Sequence, residues 1–339
     1  MKFDWLAYRA ATTYSLAPVM MRILIVCNCE LCPEAVDALE SVATVEYRSS
    51  ATRDEVLGII SDFDAVMCDA SVKFDHEMIA RATKLRLIGS PSTGTDHLDK
   101  KCLAEHGIEQ HDIAVEYELL DQFTATAEGA WLLLLAAMRQ FPRQFERAKR
   151  GEIAWDEPGW VPNQLAGLTL GIAGYGRLGS MVGPYGEAFR MRVLAFDRKK
   201  LDKPGIEQVD LDTFLTESDV ISIHLHLTDE THHFFDRQRI AQMKKGVVIV
   251  NTARGDLIDE DALVDALESG HVAAAGVDVV HDEWDPNRGE HRLHQYARTH
   301  DNLVITPHVA SACRQGLVGA RVFMAQKLAR RLRQISQDR

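Results

Sequence analysis

Short runs of apolar and β-branched residues recur along the chain, separated by stretches whose apolar positions return every three or four residues. Ile23–Val26, Ala65–Cys68, Leu85–Gly89 and Ile108–Gln110 read as strands, with helical patterns such as Pro33–Ser41 and His76–Ala82 between them. A second series begins with Leu168–Ala173 and continues with Arg192–Phe196, Val220–His224, Val247–Asn251, Ala273–Asp278 and Leu303–Ile305. This alternation predicts an α/β protein whose parallel sheets are covered by helices. Two series in 339 residues allow two domains, each with its own core. No internal repeat or low-complexity stretch interrupts the pattern.

Between the two series runs TATAEGAWLLLLAAMRQ, Thr124–Gln140, which is apolar on nearly every side. Such a helix must be buried, either in a subunit interface or as a core helix between domains. Its most apolar part, Ala130–Met138, is about half the ~18 residues needed to span a bilayer, and no segment is longer. Residues 1–20 hold Lys2, Asp4 and Arg9, lack the apolar centre of a secretory signal, and read as an extension ahead of Met20-Met21.

A formal charge of −12 argues against partners bound through bulk electrostatics, so neither nucleic acid nor membrane is expected. Six cysteines without a signal suggest free thiols in a reducing compartment, hence a cytoplasmic protein. Three of them crowd into CNCELC, Cys27–Cys32, directly behind the first strand. A structural zinc site needs four ligands and no second knuckle is present, so no metal is expected there. The segment reads as loop trim, with redox sensitivity as the alternative, because neighbouring thiols at a helix N-terminus can have depressed pKa values.

LTLGIAGYGRLGSMV, Leu168–Val182, places a GxGxxG (Gly174, Gly176, Gly179) directly after a strand and at the opening of a helix. The first glycine permits the tight turn, the second lets backbone approach a pyrophosphate, and the third allows close helix–strand packing. The helix N-terminus adds amide donors and a positive dipole. Asp197, eighteen positions on at the end of the next strand, is placed to accept hydrogen bonds from the ribose hydroxyls of NAD and to repel the 2′-phosphate of NADP. NAD is therefore favoured over NADP, although Arg198 and Lys199 soften the discrimination.

Nicotinamide chemistry on a 2-oxo or 2-hydroxy acid needs a cation for the carboxylate and carbonyl, and an acid–base group working near pH 7. Arg254, in VNTARGDLIDEDAL, follows a strand and offers a guanidinium fork. Glu283 lies five residues after Asp278, and His308, in LVITPHVAS, follows the last strand. A histidine beside a carboxylate is held in one tautomer with its pKa raised. Each residue also has a bland reading, and spacing alone does not show that the three converge.

Several ordered motifs now bear on one another: RLIGSPSTGTDHLD (Arg86–Asp99), TATAEGAWLLLLAAMR, GIAGYGRLG, Asp197, SDVISIHLHLTDETHH (Ser218–His233), MKKGVVIVNTARGDLIDEDAL (Met243–Leu263), GVDVVHDE and TPHVAS. From about Arg22 to Ala312 the chain resembles the D-isomer-specific 2-hydroxyacid dehydrogenases. The resemblance implies two Rossmann-like, doubly wound parallel-sheet domains around a cleft, the cofactor domain inserted into the substrate domain. It places the substrate domain at 1–118 with 309–339 and the NAD-binding domain at 119–308. By position it makes Arg254, Glu283 and His308 the catalytic residues, with Glu283 and His308 as proton relay. It puts Asp278 near the nicotinamide amide, Arg177, Leu178, Leu225, Thr231 and Thr252 on the cofactor, and Thr93 and Gly94 on the substrate carboxylate. It implies a homodimer through the cofactor domains, which strengthens the interface reading of the apolar helix.

Departures are His226 in place of a proline, Cys313 in place of a threonine, Gly129 in place of a histidine, and Trp284 where a proline is common. Trp284 either lines the pocket or packs at a domain edge. Phosphoglycerate dehydrogenases of similar sequence commonly carry arginine near the position of Asp69, and an acidic residue there disfavours a phosphorylated substrate. Many of them also append a regulatory domain that this sequence lacks. The leading expectation is an enzyme interconverting a 2-oxo acid and a D-2-hydroxy acid with NAD. The alternatives are an NAD(H)-sensing binding protein of the corepressor type, a phosphoglycerate dehydrogenase-like enzyme and, less favoured because Glu283 stands where a glutamine is usual, a formate dehydrogenase.

Overall fold

A computed structural model describes residues 21–152, 162–285 and 287–337; the extension 1–20 lies outside the described residues. The chain forms two compact units. One runs to Phe123 and resumes at Cys313; the other is Thr124–Ala312.

The first unit holds five parallel strands in the order β2-β1-β3-β4-β5: β1 (Arg22–Ile25), β2 (Thr44–Tyr47), β3 (Ala65–Met67), β4 (Leu87–Gly89) and β5 (Glu109–His111). Side chains alternate between faces along a strand. Ile23 and Ile25 therefore join the core with the Pro33–Glu40 helix and the long C-terminal helix Arg314–Gln337, whereas Leu24 and Val26 join Val56, Ile60, Phe63 and Phe74 on the opposite face. Both faces are covered, which is why β1 reads as an unbroken apolar run. Lys327 Nζ to Glu116 Oε1 at 2.6 Å and Arg331 Nε to Glu109 Oε2 at 2.8 Å tie the returning helix to this unit.

The second unit holds seven parallel strands in the order β12-β11-β10-β9-β6-β7-β8. They are β6 (Thr169–Ala173), β7 (Arg192–Phe196), β8 (Ile206–Gln208), β9 (Val220–Ile223), β10 (Val247–Asn251), β11 (Val272–Val277) and β12 (Leu303–Ile305). The strand order reverses at β6, between β7 and β9, and such a switch point is where open α/β sheets bind ligands, beyond the carboxyl ends of the strands. The residues following β6, β7, β9, β10, β11 and β12 thus emerge along one edge.

The apolar helix spans Ala125–Met138 and is not buried all round. Ala127, Ala130, Trp131, Leu133, Leu134 and Ala137 pack into its own unit's core, while Leu132 is 64% exposed. No helix among the described residues is long and apolar enough to cross a membrane.

Candidate active site

The loop after β6 shows why its glycines stand where they do. Gly174 adopts φ +88°, the left-handed region open chiefly to glycine, and a Cβ there would lie 2.8 Å from the His224 carbonyl oxygen. A Cβ at Gly179 would come within 2.2 Å of the Gly174 carbonyl oxygen, so helix Arg177–Ala188 can approach β6 only with a bare backbone. At Gly176 no described atom lies within 4 Å of a built Cβ, so the amide end of that helix faces open space. Arg177 and Leu178 form its first turn.

Asp197, just past β7, is pinned against this loop: Oδ2 accepts from the Tyr175 amide and Oδ1 from the Lys199 amide, each at 2.8 Å. A carboxylate has about four acceptor positions, so two such bonds orient it and leave room for ribose hydroxyls. Past β10, the buried Thr252 Oγ1 has no hydrogen-bond partner among the described residues. His224 Nδ1, past β9, is likewise buried and unpartnered, while its Nε2 pairs with Ser222 Oγ at 2.9 Å. Burial pulls the His224 pKa down to about 4, so the ring is neutral at pH 7. Orphaned buried polar atoms are uncommon and call for an explanation. Two of them at the carboxyl edge beside an open glycine cradle fit a dinucleotide. His224 carries no local signal in the sequence, because its strand reads as apolar alternation and its neutrality comes from burial. Leu225 packs half-buried against the core, and Thr231 closes a local turn, its hydroxyl donating to the His226 carbonyl at 2.6 Å.

The structure brings Glu283 and His308 together. His308 Nδ1 lies 2.8 Å from Glu283 Oε1, which as an acceptor fixes the proton on Nδ1 and leaves Nε2 for chemistry. That bond raises the His308 pKa above its ordinary value, with burial and the positive charge of Arg254 opposing it. His308 also sits at φ +54°, an unusual conformation for a side-chain-bearing residue. Asp278, only 2% exposed, maintains it. The Asp278 carbonyl accepts from the His308 amide at 2.8 Å, and its carboxylate accepts from Thr306 Oγ1 (2.5 Å), the Val309 amide (2.9 Å) and the Ala310 amide (2.8 Å). Asp278 therefore grips the backbone that presents His308.

Arg254 stands on the loop after β10. Asn251 braces that loop, Nδ2 donating to the Arg254 carbonyl at 2.8 Å and Oδ1 accepting from the Ala253 amide at 3.0 Å. A Cβ on Gly255 would sit 2.1 Å from the Val280 carbonyl carbon, so the arginine loop abuts the segment leading to Glu283. Trp284, 59% exposed, lies with its ring centroid 6.4 Å from that of His308, which sets it beside the acid–base pair.

Thr93 and Gly94 belong to the first unit, on the loop between β4 and helix Lys100–Glu105. Thr93 is exposed, and the loop is anchored by the buried Ser90 Oγ–His97 Nε2 bond at 3.2 Å. In the same unit Asp69 is paired with Arg321, Oδ2 to Nη2 at 3.5 Å, and accepts from Ser71 Oγ at 2.6 Å.

The reading of CNCELC as reactive thiols is corrected. Cys27, Cys29 and Cys32 are all buried in the core. Hydrogen bonding along the cysteine chain and burial raise the thiols of Cys29 and Cys32 well above the ordinary value.

Residues 131–310 match a family model described as D-isomer specific 2-hydroxyacid dehydrogenase, NAD binding domain, and residues 23–112 match the catalytic domain of the same family. Similar proteins include a hydroxypyruvate reductase of Thermotoga maritima, 34% identical over 92% of this chain and 99% of that protein. A glyoxylate reductase of Thermofilum pendens is 35% identical over 83% of this chain and 80% of its own length. A D-3-phosphoglycerate dehydrogenase of Methanocaldococcus jannaschii is 34% identical over 88% of this chain, which spans only 56% of that protein. Among solved structures, D-lactate dehydrogenase from Aquifex aeolicus, complexed with NAD and lactic acid, superposes with a TM-score of 0.78 at 28% identity, covering 94% of this chain and 96% of that one.

Proposed function

The chain belongs to the D-isomer specific 2-hydroxyacid dehydrogenases, and on that premise we propose that it interconverts a 2-oxo acid and the D-2-hydroxy acid with NAD(H). The observation that carries this reading is the 2.8 Å Glu283–His308 pair, at the carboxyl edge of a parallel sheet whose switch point holds an open glycine cradle.

Gly174, Gly176, Arg177, Leu178 and Gly179 would hold the pyrophosphate, Asp197 the ribose, and Leu225, Thr231, Thr252 and Asp278 the remainder of the dinucleotide. The bound cofactor would supply or accept the hydride. Arg254 grips the substrate carboxylate and polarises the carbonyl oxygen. His308 delivers its Nε2 proton to that oxygen in reduction and recovers it in oxidation, while Glu283 stabilises the imidazolium between the two. Thr93 and Gly94 offer backbone amides to a carboxylate. Asp69 pairs with Arg321, so that guanidinium is not available to a phosphate. Unphosphorylated acids such as glyoxylate, hydroxypyruvate or pyruvate are therefore preferred to phosphorylated ones. NADH and NADPH oxidation across a panel of 2-oxo acids tests the proposal; absence of turnover with every member refutes it.

Asp197→Ala is expected to raise the Kd for NAD about tenfold or more, the loss of hydrogen bonds to a charged acceptor, and to leave NADP binding unchanged or improved. Fluorescence titration of both cofactors checks it, and an unchanged preference removes the ribose contact.

We also propose a homodimer through the second unit. Leu132, Phe141, Phe145 and Phe189 are exposed there, with Phe141 and Phe145 stacked at 5.9 Å and Phe189 5.0 Å from Trp131. Large apolar side chains left exposed in neighbouring pairs are candidates for a contact surface. Sedimentation should show a dimer that Leu132→Asp shifts to monomer; a monomeric parent chain contradicts the assignment.

A further inference from the structure

We propose that His232, His233 and Asp256 form a binding site for a divalent transition-metal ion of the zinc class, separate from the dehydrogenase chemistry. Each side chain offers one ligand atom, and the three atoms lie within 4.8 Å of one another. Two imidazoles and a carboxylate suit Zn²⁺, Co²⁺ or Ni²⁺ rather than Mg²⁺ or Ca²⁺, which prefer oxygen ligands alone. Metal–ligand bonds of about 2.0–2.2 Å place tetrahedral ligands about 3.4 Å apart, so the group must contract by up to about 1.4 Å. His232 is exposed, which gives an ion a way in from solvent.

The supporting structure is better built than a chance meeting of surface side chains. The His232 and His233 rings stack with centroids 4.0 Å apart. The two segments are laced together by backbone: the His233 amide donates to the Asp256 carbonyl at 2.7 Å, the Phe235 amide to Leu257 at 3.0 Å, and the Asp259 amide back to Phe235 at 3.1 Å. His233 holds φ +48°, a conformation that side-chain-bearing residues rarely keep without a local reason. Behind the carboxylate, His281 Nδ1 hydrogen-bonds to Asp256 Oδ1. That outer partner orients the carboxylate and leaves its other oxygen for an ion, as outer histidine–carboxylate pairs do around known metals. The site ties the turn after Thr231 to the loop that carries Arg254, two residues before Asp256. It lies wholly within the second unit, and its existence does not depend on what the protein catalyses.

The test uses the full chain, free of any histidine tag and stripped with chelator. Titration with Co²⁺, followed by visible absorption, and with Zn²⁺, followed calorimetrically, is expected to give one saturable site per chain. His233→Asn, chosen because asparagine tolerates the left-handed backbone, and Asp256→Asn should abolish it, while His281→Ala weakens it about 10- to 100-fold. His300→Ala, far along the sequence, should leave it intact. Thermal melts confirm that each variant is folded. Unchanged stoichiometry and affinity in both asparagine variants, or no saturable site in the parent chain, overturns the proposal.

Discussion

His308→Gln is expected to lower turnover by roughly 10²- to 10⁴-fold, the usual contribution of a positioned acid–base group, while NADH binds as before. Glutamine can still donate an amide hydrogen bond to Glu283 but has no proton to deliver. The pH dependence follows from the same pair. Protonated His308 is the donor in reduction, so reduction is supported below its pKa and lost as pH rises through it. Glu283 raises that pKa, so the alkaline limb lies above the ordinary imidazole value of about 6.5. In Glu283→Gln the charge that favours the imidazolium is gone, and the limb moves to lower pH. Steady-state rates against pH, with NADH titrations beside them, read both effects. Full activity in His308→Gln sinks the assignment, and an unmoved limb in Glu283→Gln removes the relay.

Arg254→Ala is expected to cost about 10²- to 10³-fold in kcat, as removal of a single donor to a developing oxyanion does, and to raise KM as well because the same guanidinium holds the ground-state carboxylate. Arg254→Lys should recover only part of the loss, since an ammonium is a point charge without the planar fork. The backbone here is braced by Asn251 through the Arg254 carbonyl, in addition to a 2.6 Å bond from the guanidinium Nη1 to the Ala253 carbonyl. NADH affinity should be unchanged, and that result beside the lost activity assigns the loss to the guanidinium rather than to a collapsed loop. Wild-type kcat and KM in Arg254→Ala would assign the carboxylate to another group.

Much of the second sheet was legible because burial on both faces writes its strands as plain apolar runs, Val247–Asn251 most clearly, and because a GxGxxG has meaning only between strand and helix. Edge elements were harder. β2, TVEY, and β8, IEQ, carry charge and are short, so neither rises above loop background. Helix Arg53–Ile59 carries its own local signal: Thr52 and Glu55 form a reciprocal capping box, the T-x-x-E pattern that marks a helix start. What the chain cannot announce locally is set by contacts far along it. CNCELC looked reactive because nothing nearby says that Ala320, Met324 and Ala325, some 290 residues on, close over it. The pairing of Asp69 is hidden for the same reason, its partner Arg321 arriving on the returning helix. His308 was suspected from its motif, but its pairing with Glu283 and the grip of Asp278 on its backbone required the sheet to be assembled.

The most direct test of the central claim is the configuration of the product formed when the chain oxidises NADH with pyruvate or hydroxypyruvate, read by chiral chromatography. The D-2-hydroxy acid is expected, formed by the parent chain and roughly 10²- to 10⁴-fold more slowly by His308→Gln. An L-product, or a D-product formed equally well by His308→Gln, would contradict the claim.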